Sequence, residues 1–455
     1  MHSIWAVARN TIAQALRMKV AGVVVILLLV LLPLMSTILV GDGTLQGKLQ
    51  TFVSYGLSLM MMLLCILTIA ISTYTLSNDL RRKHIFLVVT KPISRCKILL
   101  GKLCGILILD AALLVVFAAL IYGLTILIPH LTDAPDAQVK QARDEFFTAR
   151  AGLTDPEDED EIESRAWKIY RELKGSDQLP QDMTVQRALT ELKAHQKMLA
   201  RSVPVNARKV WEFHNVRVRD PDDTLFVRFK YEVAATPVDD KVHGVWDVGD
   251  NRQVERGLGG WKTPIARVTR SDVTRTMLEI EVPARVIAED RYVGVVFHNT
   301  SLNETTVIPQ EVELLYRAGT FTGNYMRAVL LVGFRLAFLA ALGVSASTWL
   351  SFPVAFLLTM VVFLVGMVSG FVGESIESLG VLGNMVYTFT LKPVVWMLPR
   401  LDGEYSPTRF MVMGRLLTWS FLAQVGAIMV LAKATLLTVI GMWIFSNREI
   451  AKTVV

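Results

Sequence analysis

The chain has 455 residues, of which 52% are hydrophobic and only 19% charged, and its apolar residues lie in long uninterrupted blocks. This composition excludes an ordinary soluble globular protein and indicates a membrane protein. The net charge of +6 does not favour nucleic-acid binding, because the basic residues lie mainly at the ends of the apolar blocks, where they orient membrane spans.

The first 20 residues, MHSIWAVARNTIAQALRMKV, predict an amphipathic helix that lies in the membrane interface. Ile4, Val7 and Ala15 fall near one helical face, and the basic residues fall elsewhere. A frayed tail is the alternative. No small-residue cleavage pattern follows the first apolar block, so we expect this block to remain as a span rather than to be removed as a signal peptide.

Six apolar blocks are each long enough to cross the hydrocarbon core, which takes roughly 20 helical residues. They comprise residues 20–40, 51–76, 98–128, 325–350, 352–372 and 416–445. Basic residues precede the first block and follow the second and the sixth, which predicts that both termini and the connection between spans two and three are cytoplasmic. Residues 129–323 would then be extracytoplasmic.

The connection between the second and third spans is strongly basic. The stretch LRRKHIFLVVTKPISRCKILLGKL, residues 80–103, contains Arg81, Arg82, Lys83, Lys91, Arg95, Lys97 and Lys102. An apolar centre inside a basic frame predicts a short amphipathic helix parallel to the membrane, which offers a docking surface for a soluble partner. Pro92 would end this helix, and Ser94 would cap the helix of the third span.

The extracytoplasmic segment divides by composition. Residues 129–202 are charged and favour helices, of which we expect three, in residues 136–152, 160–175 and 184–202. Residues 203–323 contain seven short β-rich runs separated by turn residues, which predicts a β-sandwich. The predicted fold class is therefore an α-helical polytopic membrane protein with six transmembrane helices and an inserted extracytoplasmic α+β domain, in which helices precede a β-sandwich.

Three tryptophans of the outer domain, Trp211, Trp246 and Trp261, are candidates for a surface that binds sugar or lipid. Tryptophans in such sandwiches more often belong to the core. The three cysteines all lie in or beside apolar blocks, and the seven histidines are scattered, so no disulfide or metal site is predicted. GLGGWKT, residues 257–263, breaks the spacing of a phosphate-binding loop. We expect neither a catalytic residue nor a cofactor in this chain.

Three charged residues fall deep inside the predicted spans. Counted from the cytoplasmic ends at about 1.5 Å per residue, Asp110, Arg335 and Lys433 lie at similar depths of roughly 18 to 22 Å. An unpaired charge there costs at least about 2.5 to 3.5 kcal/mol. We therefore expect Asp110 to form an ion pair with Arg335 or Lys433. The alternative is a neutral Asp110 with both basic side chains extended towards the interface.

The run TLSNDLRRKHIFLVVTKPISRCKILLGK resembles the connection between spans two and three of type-2 ABC export permeases. The matching positions are Lys91, Pro92, Ile93, Ser94, Arg95, Leu100, Gly101 and Lys102, whereas His84 and Ile85 replace the Gly-Thr of many members. In that family the connection is a coupling helix that lies in a groove of a separate ATPase. The resemblance implies that residues 78–97 dock an ABC ATP-binding subunit through Arg81, Arg82, Lys83, Lys91, Pro92, Ser94 and Arg95.

Other features resemble the same family. Residues 373–401 are similar to its re-entrant hairpin at the outer face, and their Gly, Asn and Pro residues suit broken helices. The resemblance implies a permease subunit of the inner membrane that forms a dimer with a second permease copy, while the partner ATPase holds ATP and Mg²⁺. The inserted domain is unusual in the family, and its role would be to receive substrate or to contact an envelope partner.

The expected domains are residues 1–128 with the first three spans, 129–202, 203–323, and 324–455 with the last three spans. A second hypothesis is a membrane-anchored envelope protein or scaffold whose outer sandwich binds a ligand, in which case the basic connection binds no ATPase. A secondary transporter would be expected to carry internal repeats, and the two halves show none.

Overall fold

The computed structural model describes residues 2–81, 94–132, 134–155, 159–176, 185–218, 220, 223–237, 239–255, 257, 262–369, 398–402 and 405–447. The described residues form two compact units. The helical unit runs to Phe147 and resumes at Thr320. The second unit comprises Thr148–Gly319, and we call it the outer unit after its predicted location.

The helices, in chain order, are α1 (His2–Leu16), α2 (Lys19–Ile38), α3 (Leu45–Arg81), α4 (Arg95–Leu131), α5 (Asp136–Glu145), α6 (Glu159–Gly175), α7 (Val185–Arg201), α8 (Arg252–Glu255), α9 (Phe321–Ala346), α10 (Phe352–Gly366), α11 (Pro407–Val412) and α12 (Trp419–Asn447). The middle turns of α12, Ala427–Ala434, are π-helical.

Within the described residues, five helices are long and apolar enough to cross a membrane, namely α2, α3, α4, α9 and α12. They confirm five of the six predicted spans. The remaining span begins at Phe352 as predicted, but α10 is described as a helix of only 15 residues. The region that follows, residues 370–397, lies outside the described residues, and most of the predicted re-entrant hairpin lies there.

Helix α3 lies at the centre of the helical unit, because it packs against α2, α4, α9, α10 and α11. Its side chains Leu57, Met60 and Leu64 are fully or almost fully buried. Large apolar side chains on peripheral helices, such as Ile26 of α2 and Leu431 of α12, are exposed instead. This arrangement suits a protein surrounded by lipid, in which apolar side chains face both the core and the outside.

The outer unit contains two four-stranded sheets with the orders β1-β8-β3-β6 and β2-β7-β4-β5. The strands are β1 (Thr148–Thr154), β2 (Arg208–Phe213), β3 (Thr224–Val233), β4 (Lys241–Gly249), β5 (Ala266–Val273), β6 (Met277–Pro283), β7 (Val293–Asn299) and β8 (Val307–Thr320). Strands β2 to β8 correspond to the seven predicted β-rich runs.

One apolar core joins the two sheets. Phe229 of the first sheet packs against Trp246 of the second with ring centroids 4.3 Å apart, and Trp246 packs against Phe297 at 4.9 Å. Aromatic rings in such tilted contacts contribute beyond their buried area. The predicted β-sandwich is confirmed, as is the predicted class of a helical membrane protein with an inserted α+β domain.

The first predicted helix of the outer segment is partly wrong. Helix α5 ends at Glu145, and residues 148–154 form β1, which pairs with β8. The sequence TARAGLT has no strong helical period, and the long strand β8 offers it a pairing edge that no local pattern reveals. The second and third predicted helices are present as α6 and α7, which pack against each other.

Candidate functional site

The residues predicted to dock an ATPase lie at the junction of α3 and α4, and the structure describes only the two sides of it. Arg81 is the exposed last residue of α3, and Arg95 is the first residue of α4. Ser94 occupies the N-cap position of α4 with extended backbone angles, but its side chain makes no capping hydrogen bond. Arg82, Lys83, Lys91 and Pro92 lie outside the described residues.

Arg95 makes a contact that the sequence did not suggest. Its guanidinium donates to the carbonyl oxygens of Phe445 at 3.2 Å and Ser446 at 2.9 Å, in the last turn of α12. The final carbonyls of a helix have no partner within the helix, and a cation at that end is also favoured by the helix dipole. Arg95 therefore joins the beginning of α4 to the end of α12.

A buried ion pair joins α3 to α4 close to the same junction. The Nζ atom of Lys102 lies 2.6 Å from Oδ2 of Asp79, and it also donates to the Thr75 carbonyl at 3.1 Å. The side-chain amide of Gln14, on α1, donates to the other carboxylate oxygen of Asp79 at 3.3 Å. Three helices thus meet in one polar cluster of Gln14, Thr75, Asp79 and Lys102, which we call the junction cluster.

Glycines on either side of Lys102 bring α1 against α4. A Cβ atom at Gly101 would lie 2.7 Å from Cβ of Val7, and one at Gly105 would lie 2.6 Å from the carbonyl oxygen of Ala8. Pairs of small residues spaced by three others allow the backbones of membrane helices to approach closely. The N-terminal segment is therefore a helix packed on α4 rather than a frayed tail. Residues 101–105, Gly-Lys-Leu-Cys-Gly, have this small-residue spacing, which is the signal from which the contact could have been predicted.

The predicted ion pair of Asp110 with Arg335 or Lys433 is wrong. Arg335 of α9 donates to the carbonyl oxygens of Leu401, at 2.9 Å, and Tyr405, and contacts the sulfur of Met61. Lys433, in the π-helical turns of α12, donates to the Leu398 carbonyl at 2.9 Å.

Both intramembrane cations therefore bind backbone carbonyls of residues 398–405. Residues 398–402 of this segment are irregular, so several of their carbonyls have no helical partner, and a polar group left unsatisfied at membrane depth costs several kcal/mol. Because these carbonyls need hydrogen-bond donors, Arg335 and Lys433 bind to the carbonyls and not to Asp110. A π-helical turn, such as the one that carries Lys433, frequently marks a functional position.

The three candidate tryptophans of the outer unit differ in their surroundings. Trp246 is 0% exposed and donates from its indole nitrogen to the Tyr231 hydroxyl at 2.8 Å, so its prediction as a ligand surface is wrong and it belongs to the core. Trp211 is 7% exposed and stacks on Trp246 with centroids 6.0 Å apart. Trp261 lies outside the described residues.

Trp211 also lines a cavity of about 340 Å³ in the outer unit, together with Asp155, Ile162, Arg201, Lys209 and Glu311. Lys209 lies over the Trp211 ring, with Nζ 5.2 Å from its centroid. Burial raises the pKa of the Asp155 carboxyl above its usual value, although the backbone N–H of Glu212 donates to it. A titratable group with a shifted pKa in a cavity is a candidate for ligand binding.

Comparison with known protein families gives a match within the helical unit. Residues 15–146 match a family model described as ABC-2 family transporter protein. The match begins in the last turn of α1 and covers α2, α3, α4 and α5, and therefore the whole junction of α3 and α4. Searches of curated proteins and of solved structures give no match. Over residues 15–146 this polytopic membrane protein is thus similar to the ABC-2 family of transporter proteins.

Proposed function

We propose that the chain is the permease subunit of an ATP-driven ABC exporter, and that it docks a separate ATP-binding subunit through residues 78–97. The observation that carries this proposal is the family match over residues 15–146, because it includes the basic connection between the second and third spans. The ATPase partner would bind and hydrolyse ATP with Mg²⁺, and this chain would provide the path through the membrane.

The contacts around the junction support a mechanical role for residues 78–97. The junction cluster holds α1, α3 and α4 together, and Arg95 ties α4 to the end of α12. A displacement of the connection by closing ATPase subunits would therefore move four helices together rather than the third span alone. Such a displacement would change the path for substrate at the interface between two permease copies.

We also propose in which membrane the chain lies and how it assembles with its partners. Basic residues at the ends of the spans favour cytoplasmic termini in the inner membrane, with residues 129–323 on the outer side. A homodimer of permeases with two ATPase copies is the arrangement that the resemblance favours. The outer unit would receive, shield or hand on the exported molecule, or bind an envelope partner.

Copurification from native membranes in mild detergent tests the docking. Arg81→Glu combined with Arg82→Glu reverses two charges of the connection without touching the contacts of Arg95 to α12. Lys140→Glu combined with Arg143→Glu is the matched control, because both residues are exposed and basic and lie outside the connection. An ABC ATPase should copurify with the wild type and the control and be lost from the first variant. The proposal is overturned if the variant retains the ATPase, or if crosslinking yields no ATPase from the wild type.

The cavity at Trp211 favours a second function, the binding of a small ligand by the outer unit. Its volume of about 340 Å³ falls at the lower end of the range for small-molecule sites. If the outer unit acts alone and the helices only anchor it, ligand binding should persist in preparations that contain no ATPase. A Trp211→Ala variant that leaves transport unchanged would favour this second function over a role in substrate transfer.

A further inference from the structure

We propose that Asp110 is a proton-binding site inside the helical unit, and that it carries its proton as a neutral carboxylic acid while α3 and α4 are packed together. This inference goes beyond the proposed transport function, because ATP-driven transport requires no intramembrane proton. It begins from the position of Asp110, which is 2% exposed near the middle of α4.

The carboxyl group of Asp110 receives no hydrogen bond from the described residues, since both of its oxygens are buried and unpaired. Thr68 of α3 is the polar side chain that interacts with it. The Thr68 hydroxyl, however, donates its single hydrogen to the Leu64 carbonyl at 2.8 Å. With that hydrogen engaged, Thr68 leaves both carboxyl oxygens of Asp110 without a hydrogen-bond donor.

The buried cations of the described helical unit are Lys102, Arg335 and Lys433, and each is engaged elsewhere. Lys102 pairs with Asp79, while Arg335 and Lys433 donate to carbonyls of residues 398–405. No ion pair with Asp110 is formed by the described residues. A lone carboxylate in an apolar interior is so unfavourable that such a group neutralises instead.

The groups that face Asp110 from the helices around α4 offer no other counter-charge. These helices are α1, α2, α3, α9 and α12. On α3 the facing titratable group is the buried thiol of Cys65, which interacts electrostatically with Asp110 and with Arg335. On α1 and α2 the cations Arg9 and Lys19 are exposed. Among the described residues no cation faces Asp110, so we infer that a proton supplies the positive charge.

A metal cation fits this site poorly. Alkali and alkaline-earth ions take several oxygen ligands, usually six or more for Ca²⁺. The groups that interact with Asp110 are the hydroxyl of Thr68 and the thiol of Cys65. The described residues around Asp110 thus supply too few oxygen ligands for such a cation, whereas one proton is sufficient to neutralise the carboxylate.

The position of the site links the proton to helix motion. Asp110 faces α3, and the ends of α3 and α4 flank the connection that we propose to dock the ATPase. When the two helices are packed together, the carboxyl group is shielded from water and keeps its proton. A separation of α3 from α4 would admit water, and the carboxyl group could then ionise.

Infrared spectroscopy and carbodiimide labelling of the full chain in lipid nanodiscs test this inference without any ATPase. Carbodiimides modify protonated carboxyl groups in apolar surroundings, so dicyclohexylcarbodiimide at neutral pH should label Asp110, as identified by peptide mapping. The wild type should also show the carbonyl stretch of a protonated carboxylic acid. Both signals should be lost in Asp110→Asn, which should fold because it keeps the neutral shape of the acid.

Asp42→Asn is the matched control, because Asp42 is exposed and its substitution should leave both signals in place. The inference is overturned if Asp110 is not labelled at neutral pH, or if Asp110→Asn removes a carboxylate band instead of a carboxylic acid band. Protection of Asp110 from labelling by sodium or potassium ions would equally overturn it, since that result would identify a cation site.

Discussion

Lys102 of α4 and Asp79 of α3 form a buried ion pair, with 2.6 Å between Nζ and Oδ2, beside the connection between their two helices. The pair is extended to α1 by Gln14 and to the α3 backbone by the Thr75 carbonyl. Three helices that meet next to the proposed docking segment are thereby held in one arrangement.

Removal of one partner of the ion pair should be strongly destabilising. Lys102→Met leaves the Asp79 carboxylate buried without a counter-charge, which typically costs about 3 to 5 kcal/mol. Denaturant unfolding in mixed micelles measures this loss. Combining Lys102→Met with Asp79→Leu removes both charges and should recover most of the stability. A double variant as unstable as Lys102→Met alone would show that the pair is not the source of the effect.

Added side-chain volume at Gly105 should weaken the packing of α1 on α4. In Gly105→Val the new Cβ would meet the Ala8 carbonyl at 2.6 Å, and overpacking of this kind costs about 1 to 3 kcal/mol. Limited proteolysis should cut α1 faster in this variant. Gly123→Ala, on the same helix, is the control, because no heavy atom lies within 4 Å of its added Cβ. Equal proteolysis of both variants would contradict the close contact.

Asp110 and Arg335 should behave as independent residues. Arg335→Met leaves the carbonyls of Leu401 and Tyr405 without their donor, and each unsatisfied group costs about 1 to 3 kcal/mol. Asp110→Asn should have little effect. A double-mutant cycle should therefore give a coupling energy below about 0.5 kcal/mol, the range found for residues that do not contact each other. A coupling of several kcal/mol would instead indicate that Asp110 and Arg335 form the ion pair that the sequence predicted.

The outer unit should lose stability in acid. Burial alone would raise the pKa of Asp247, but hydrogen bonds and charge from Arg267, and then from His298, hold it below its usual 3.8. The pKa is thus lower in the folded than in the unfolded chain. The stabilisation from Asp247 is therefore fully present above the unfolded pKa and is lost as the pH falls through the folded pKa.

Near-ultraviolet circular dichroism of the full chain, which reports the packing of Trp211 and Trp246, should follow this loss. Thermal unfolding of the outer unit should shift to lower temperature as the pH falls below about 4. Asp247→Asn should make this shift smaller, whereas the exposed control Glu289→Gln should not. A wild-type transition that is independent of pH in this range would argue against the proposed contribution of Asp247.

Several features were determined by the sequence alone. Five apolar blocks became helices long enough to span a membrane, because a helix in lipid satisfies its own backbone and needs only length and hydrophobicity to be recognised. The seven β-rich runs became β2 to β8, since turn residues and alternation are local signals as well. The basic connection pointed to a family that the match over residues 15–146 supports.

Only the tertiary structure decided the partners of the charged residues. Arg95 binds the Phe445 carbonyl 350 residues further along the chain, and Arg335 binds the Leu401 carbonyl after 66 residues. Every residue carries a carbonyl, so no side-chain pattern marks the ones that lack a helical partner. The sequence suggested that the buried charges pair with each other, because it shows side chains and not unsatisfied backbone. The fold brings Arg335 and Lys433 to backbone carbonyls, and no cation in the described part of the chain pairs with Asp110.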